Sequence, residues 1–161
     1  MEGALLAFAQ WLDAAGVGPW ARGGAWAYPF VNSVHLLGLV MLVGGIGVVD
    51  LRLAGLWRDV PAAALSRALT PVALGGLALL VLSGTVLFAS DGMALARSVT
   101  FHRKLMLIAL ALANAVVFRL VWQRRVEAGG AVPPMIGRTS ALVSLLMWLG
   151  VGTLGRLIAY S

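Results

Sequence analysis

The sequence contains no cysteine and few charged residues, and both scarcities limit what the protein can be. Without cysteine, disulfides, thiolate-bound metals and iron–sulfur clusters are excluded. Only 11% of the residues are charged and 61% are hydrophobic, whereas soluble domains carry roughly 25% charged residues. The mean hydropathy is +0.95. The 161-residue chain is therefore predicted to be a single integral membrane domain.

Four apolar runs are long enough to cross a membrane, because a hydrocarbon core of roughly 30 Å takes about 20 helical residues. The predicted spans cover approximately residues 28–50, 70–89, 101–122 and 139–160. Asp50 is expected to mark the end of the first span, and Pro71 to occupy the first turn of the second. The spans are joined by short loops, the last of which contains Gly129, Gly130, Pro133 and Pro134. This pattern predicts an all-α, up-down-up-down four-helix bundle.

The pattern of residues 1–24 predicts a short amphipathic helix that lies in the membrane interface ahead of the first span. Leu5, Phe8 and Leu12 share one helical face, and Glu2 and Asp13 share the opposite side. Four glycines and one proline are expected to end this helix: Gly16, Gly18, Pro19, Gly23 and Gly24.

The net charge of +6 does not indicate nucleic-acid binding, because the basic residues flank apolar runs instead of forming one patch. Seven of the twelve follow the first and third spans: Arg52, Arg58, Arg67, Arg119, Arg124, Arg125 and Arg138. The positive-inside rule places those loops in the cytoplasm by a small margin. In a bacterial inner membrane, both termini would then face the periplasm.

His35 is the strongest candidate for a functional residue, since an ionisable side chain inside a membrane span is functional or paired by default. The interval from His35 to Asp50 equals the interval from Lys104 to Arg119, and each pair brackets a span. Because every helical residue adds the same rise, His35 and Lys104 therefore sit at a similar height and can face each other. His102 points roughly 200° away from Lys104 around the same helix.

Three further polar residues belong to the same half of the membrane. Arg156 lies near the end of the fourth span, where a guanidinium requires an anion. Ser83 and Thr85 flank Gly84 at a related height in the second span. One cavity could collect these side chains with His35.

Such a group suits a b-type haem, with His35 axial to the iron, Lys104 or His102 as the second axial candidate, and Arg156 on the propionates. Alternatively, the same residues are polar contacts that hold helices together in a non-enzymatic membrane subunit, with Lys104 and Arg156 snorkelling to the headgroups. A small transporter is a third hypothesis, motivated by Lys104, Arg156 and Asp50. No central acidic residue or broken helix is evident to support it.

The stretches VHLLGLVMLVGGIGVVDLRLAGL, FHRKLMLIALALANAVVF and GRLIAY resemble an uncharacterised family of small four-helix bacterial membrane proteins. More distantly, His35 with the RKL of Arg103 to Leu105 resembles the membrane protoporphyrinogen oxidase family and the membrane domain of copper-resistance protein D. In that oxidase family a first-helix histidine and a third-helix lysine, matched here by His35 and Lys104, are essential to a haem-bearing four-helix enzyme.

The resemblance implies haem b and either electron transfer or oxidation of a small molecule such as a porphyrinogen or quinol. The chain departs from the oxidase pattern at Leu42 and Val43, where that family has a tryptophan, and at Leu51, where it has a proline. Besides the lipid bilayer and haem, a second copy of the chain or a membrane redox partner is a candidate partner, because the glycine-rich seams permit helix association.

Overall fold

The computed structural model describes residues 1–124 and 134–158. Its helices are α1 Glu2–Ala14, α2 Val17–Gly23, α3 Ala27–Ala54, α4 Ala62–Ser90, α5 Gly92–Arg97, α6 Val99–Phe118 and α7 Pro134–Ile158. A π-helical segment, Arg119–Gln123, continues α6. The predicted all-α bundle is confirmed. The predicted positions of Arg125, Gly129, Gly130, Pro133 and Tyr160 lie outside the described residues.

The four long helices, α3, α4, α6 and α7, are each apolar and long enough to cross a membrane. The chain is therefore a membrane protein. Helix α3 packs against both α4 and α7, and α7 packs against α6. Among the described residues, no Cα atom of α4 lies within 8 Å of one in α6. The bundle is consequently closed at its α4–α6 side by side chains alone.

The hydrophobic core lies midway along these helices. Its buried members are Leu42, Ala73, Ala111, Trp148 and Val151, so all four long helices contribute to it. Leucines from α4 and α6, including Leu77, Leu80 and Leu107, pack around this centre. Large side chains thus span the α4–α6 side, where the backbones stay apart.

Small residues bring the backbones of α3 and α4 together. A Cβ built on Gly38 would lie 2.9 Å from the Gly76 carbonyl oxygen, and one built on Gly45 would lie 3.1 Å from the Ala73 Cβ. Close approach of this kind needs positions without side chains, as in other membrane helix pairs. This seam fixes the register of α3 on α4, and with it the position of His35.

The segment ahead of the first span forms two helices where one was predicted. Gly16, with φ of +81°, separates α1 from α2, because a left-handed conformation costs glycine little. Gly18 and Pro19 do not break the chain as expected. They lie in the first turn of α2, where proline is tolerated since its amide hydrogen would have no helical partner.

One face of helix α1 packs against the end of α4. Leu12 is only 3% exposed and, with Ala9, contacts Phe88 and Ala89 at the end of α4. The ring of Phe8 stacks on that of Phe88 at 5.9 Å between centroids. Helices α1, α2 and α5 thus cover the end of the bundle that carries His35, which we call the His35 end.

Two expectations about the spans are wrong. Helix α4 begins after Pro61, so Pro71 lies in its interior and not in its first turn. Membrane helices tolerate an interior proline when neighbouring helices and hydroxyl groups compensate for the lost hydrogen bond. Helix α3 continues past Asp50 to Ala54, and Asp50 is only 8% exposed.

Arg22 ties the N-terminal helices to α4. Its guanidinium pairs with Asp13 and donates to the Ala89 carbonyl at 3.2 Å. We expect Arg22→Gln to reduce the free energy of unfolding by less than about 1 kcal/mol, because exposed ion pairs contribute little. Amide hydrogen exchange in α1 and α2 should nevertheless become faster. Arg97→Gln, which removes an exposed arginine from the same end, is the control and should leave exchange unchanged.

Candidate functional site

His35 is held by a hydrogen bond across the α3–α4 seam. Its Nδ1 lies 2.9 Å from Ser83 Oγ. The Ser83 hydroxyl also donates to the Leu79 carbonyl of its own helix. Because a hydroxyl has one proton, Ser83 can only accept from His35, so Nδ1 carries the ring proton. In the neutral imidazole the lone pair is then on Nε2, where it is available to a ligand or metal.

Gly84 allows the His35 ring to lie against α4. A Cβ built on Gly84 would lie 3.2 Å from His35 Cε1 and 3.7 Å from Nδ1. A larger residue at this position would therefore push the imidazole away from Ser83. Thr85, the other hydroxyl expected near His35, instead donates to the Val81 carbonyl of its own helix at 2.9 Å.

Lys104 lies on α6, which packs against α7. Its side chain is half-buried, and a Cβ built on Gly155 of α7 would lie 3.2 Å from its Nζ. His35 and Ser83 thus meet between α3 and α4, and Lys104 and Gly155 meet between α6 and α7.

The other two predicted site residues are placed differently. Arg156 follows Gly155 and has an exposed side chain. The Nε2 atom of His102 is buried and has no hydrogen-bond partner within the described ranges 1–124 and 134–158. The Nε2 atom of His102 is therefore enclosed by protein, whereas Lys104 Nζ lies against Gly155 of α7.

The donor groups fit a haem better than a mononuclear metal ion. In the part of the chain that the structure describes, no three His, Cys, Asp or Glu side chains converge. One imidazole with an oriented second nitrogen and one amine are the types of donor that axial haem coordination uses. Gly84 and Gly155 let the His35 ring and the Lys104 ammonium lie close against α4 and α7.

Asp50 is a buried acidic residue that the sequence pattern assigned to a span end. The carboxyl group of Asp50 neighbours Ser144 of α7, which is also buried, and its Oδ2 atom has no hydrogen-bond partner among the described residues. Asp50 has no ion pair with Arg119 either, since Arg22–Asp13 is the one ion pair in the described chain. Its place on the same helix as His35 was visible in the sequence; its contact with α7 was not.

Ser144→Ala is expected to destabilise the protein by about 1–3 kcal/mol, because it removes a hydroxyl group that neighbours the buried, incompletely hydrogen-bonded Asp50 carboxyl group. The measurement is thermal or denaturant unfolding in detergent. Thr153→Ala is the matched control on the same helix, since the Thr153 hydroxyl is exposed and donates to the Leu149 carbonyl. Equal losses in the two variants would contradict a specific contribution from Ser144.

A third polar contact joins α6 to α7. Ser140 Oγ donates to Asn114 Oδ1 at 3.2 Å, and Asn114 Nδ2 donates to the Ser140 carbonyl at 3.3 Å. Together with His35–Ser83 and Asp50–Ser144, this contact places one polar pair at each close helix interface of the bundle.

Comparison with known proteins identifies a family but no named relative. No curated protein and no solved structure matches the chain. Residues 8–161, nearly the whole sequence, match a family described as a family of unknown function, DUF6644. The chain belongs to this family.

Proposed function

We propose that the protein is a haem b-binding membrane redox protein with His35 as an axial ligand. The hydrogen bond from His35 Nδ1 to Ser83 Oγ carries this proposal. Metal-ligating histidines usually donate their second ring nitrogen to a fixed acceptor, which sets the tautomer and the ring orientation. The tautomer that this bond sets leaves the lone pair on Nε2, the nitrogen that would bind iron.

Lys104 is the proposed second ligand or proton-handling base, in preference to His102. Its Nζ lies against Gly155 of α7, where a larger residue would crowd it. The resemblance to the membrane protoporphyrinogen oxidase family, with its first-helix histidine and third-helix lysine, supports this assignment. Arg156, next to Gly155 and exposed, is the proposed anchor for the propionates.

The chemistry that haem supplies when bound is one-electron transfer at the iron. The chain's own residues would orient the ligand nitrogen, through Ser83, and hold a proton near it, at Lys104. With two nitrogen ligands the protein would transfer electrons between partners. With one position open it would oxidise a small molecule such as a porphyrinogen or quinol.

We also propose a membrane location and an orientation for the protein. The protein would lie in the bacterial inner membrane, with the His35 end and both termini on the periplasmic side, as the loop arginines favour. It would pass electrons to a membrane redox partner or to another copy of itself.

The test is the visible absorption spectrum of protein purified in detergent from haem-supplemented cells, in oxidised and reduced forms. The proposal predicts a Soret band that sharpens and shifts on reduction. A colourless protein with intact helical content, measured by circular dichroism, would refute haem binding.

The second candidate is a non-enzymatic membrane subunit, favoured by the three interhelical polar pairs His35–Ser83, Asp50–Ser144 and Asn114–Ser140. In this role each pair only fixes helix register. His35→Ala would then lower stability by about as much as Ser140→Ala, and neither variant would change any chromophore.

A further inference from the structure

Three arginines converge on the loop between α3 and α4, at the end of the bundle opposite the His35 end. Arg52 donates from Nε to the Val60 carbonyl at 2.6 Å and from Nη2 to the Arg58 carbonyl at 3.0 Å. These bonds tie the last turn of α3 to residues 55–61. The guanidinium of Arg52 is therefore occupied in holding the loop.

Arg58 and Arg138 bring their guanidinium groups to Gly55. A Cβ built on Gly55 would lie 3.6 Å from Nη2 of Arg58 and 3.6 Å from Nη2 of Arg138. Gly55 has a φ of +116°, a conformation that favours glycine. Because glycine has no side chain, nothing at this position separates the two guanidinium groups. Two cations from separate parts of the chain thus share one small volume.

Neither of these arginines has an acidic partner among the residues that the structure describes. The one ion pair there, Arg22–Asp13, lies at the other end of the bundle, and Asp59 of the same loop is not paired. Both arginine side chains are exposed. Neighbouring guanidinium groups repel each other unless an anion lies between them, and their planar donors match phosphate oxygens.

We propose that Arg58 and Arg138 bind the phosphate group of a membrane phospholipid. The location favours a lipid over a soluble phosphate, because the site lies just beyond the end of α3, a membrane-spanning helix. Leu56 and Trp57, 45% and 52% exposed, flank it. An exposed tryptophan next to arginines is typical of the headgroup level of a membrane.

The test is native mass spectrometry of detergent-purified protein with added phosphatidylglycerol. The double variant Arg58→Gln/Arg138→Gln should bind the lipid at least about tenfold more weakly than the wild type. The matched control is Arg67→Gln/Arg124→Gln, which removes two exposed arginines whose sequence positions place them at the same end. Its lipid retention should be unchanged. Unchanged retention in the first variant, or equal loss in the control, would overturn the proposal.

Inorganic phosphate and pyrophosphate separate the two sources of the ligand. If either binds the lipid-free protein, depends on Arg58 and Arg138, and displaces phosphatidylglycerol at low concentration, the ligand is soluble and the lipid assignment is overturned. Circular dichroism checks the fold of each variant. The single variant Arg138→Gln repeats the measurement while leaving the Arg58 bond to the Gly55 carbonyl in place.

Discussion

Alanine in place of His35 is expected to remove the Soret band of the purified protein while leaving its helical content unchanged. On the proposal above, His35 Nε2 is the nitrogen that Ser83 orients toward the iron, and no other imidazole can replace it. His102 has its Nε2 enclosed by protein, and its position on α6 directs it about 200° away from Lys104. The haem-to-protein ratio, measured from absorbance after haem-supplemented expression, checks this result.

Two further variants separate ligation from helix packing. Ser83→Ala removes the acceptor for Nδ1 but keeps the ligand nitrogen, so haem affinity should fall on the order of 10–100-fold without being abolished. His102→Ala is the control histidine substitution and should retain the wild-type spectrum. If His102→Ala loses the band while His35→Ala keeps it, the assignment of His35 is wrong.

The four spans could be predicted because the physics that defines them is local. A long uncharged run must bury its backbone hydrogen bonds in a helix when it crosses lipid, and this depends only on composition and length. The boundaries depend on neighbours. Ser66 and Arg67 resemble loop residues in the sequence, yet α4 begins before them, at Ala62.

The candidate site could be predicted in part for the same reason. A histidine within an apolar run is visible in any membrane sequence, and helical phase related it to Lys104. Choosing between Ser83 and Thr85 required the rotation of α4 about its own axis, which the glycine seam with α3 determines. Asp50 resembled a helix end because nothing in the sequence reveals that Ser144 approaches it from α7.

These observations make α3 the helix on which the arrangement depends. It is the one long helix whose backbone approaches both α4 and α7 among the described residues. It carries His35 toward Ser83 of α4 and Asp50 toward Ser144 of α7. The spacing of helices around α3 therefore controls the position of the His35 ring at one end and of a buried carboxyl group at the other.

This dependence predicts that Gly76→Ala is much more harmful than Gly75→Ala. A Cβ built on Gly76 would lie 2.6 Å from the Leu42 backbone nitrogen and 2.7 Å from the Gly38 carbonyl oxygen. Those are backbone atoms of α3 that cannot move without separating the helices. We expect a loss of about 1–3 kcal/mol in unfolding free energy, the usual cost of overpacking. Alanine's better helix propensity would offset it only in part.

Gly75 provides a control at the neighbouring position of the same helix. A Cβ there would meet only the Met41 Cε, at 3.5 Å, which is an ordinary contact with a flexible side chain. Gly75→Ala should therefore be neutral or stabilising by up to about 1 kcal/mol. Thermal unfolding in detergent compares the two variants, and equal stability would contradict close packing at Gly76. Since the same seam sets His35 against Ser83, Gly76→Ala should also weaken haem binding, whereas Gly75→Ala should leave it intact.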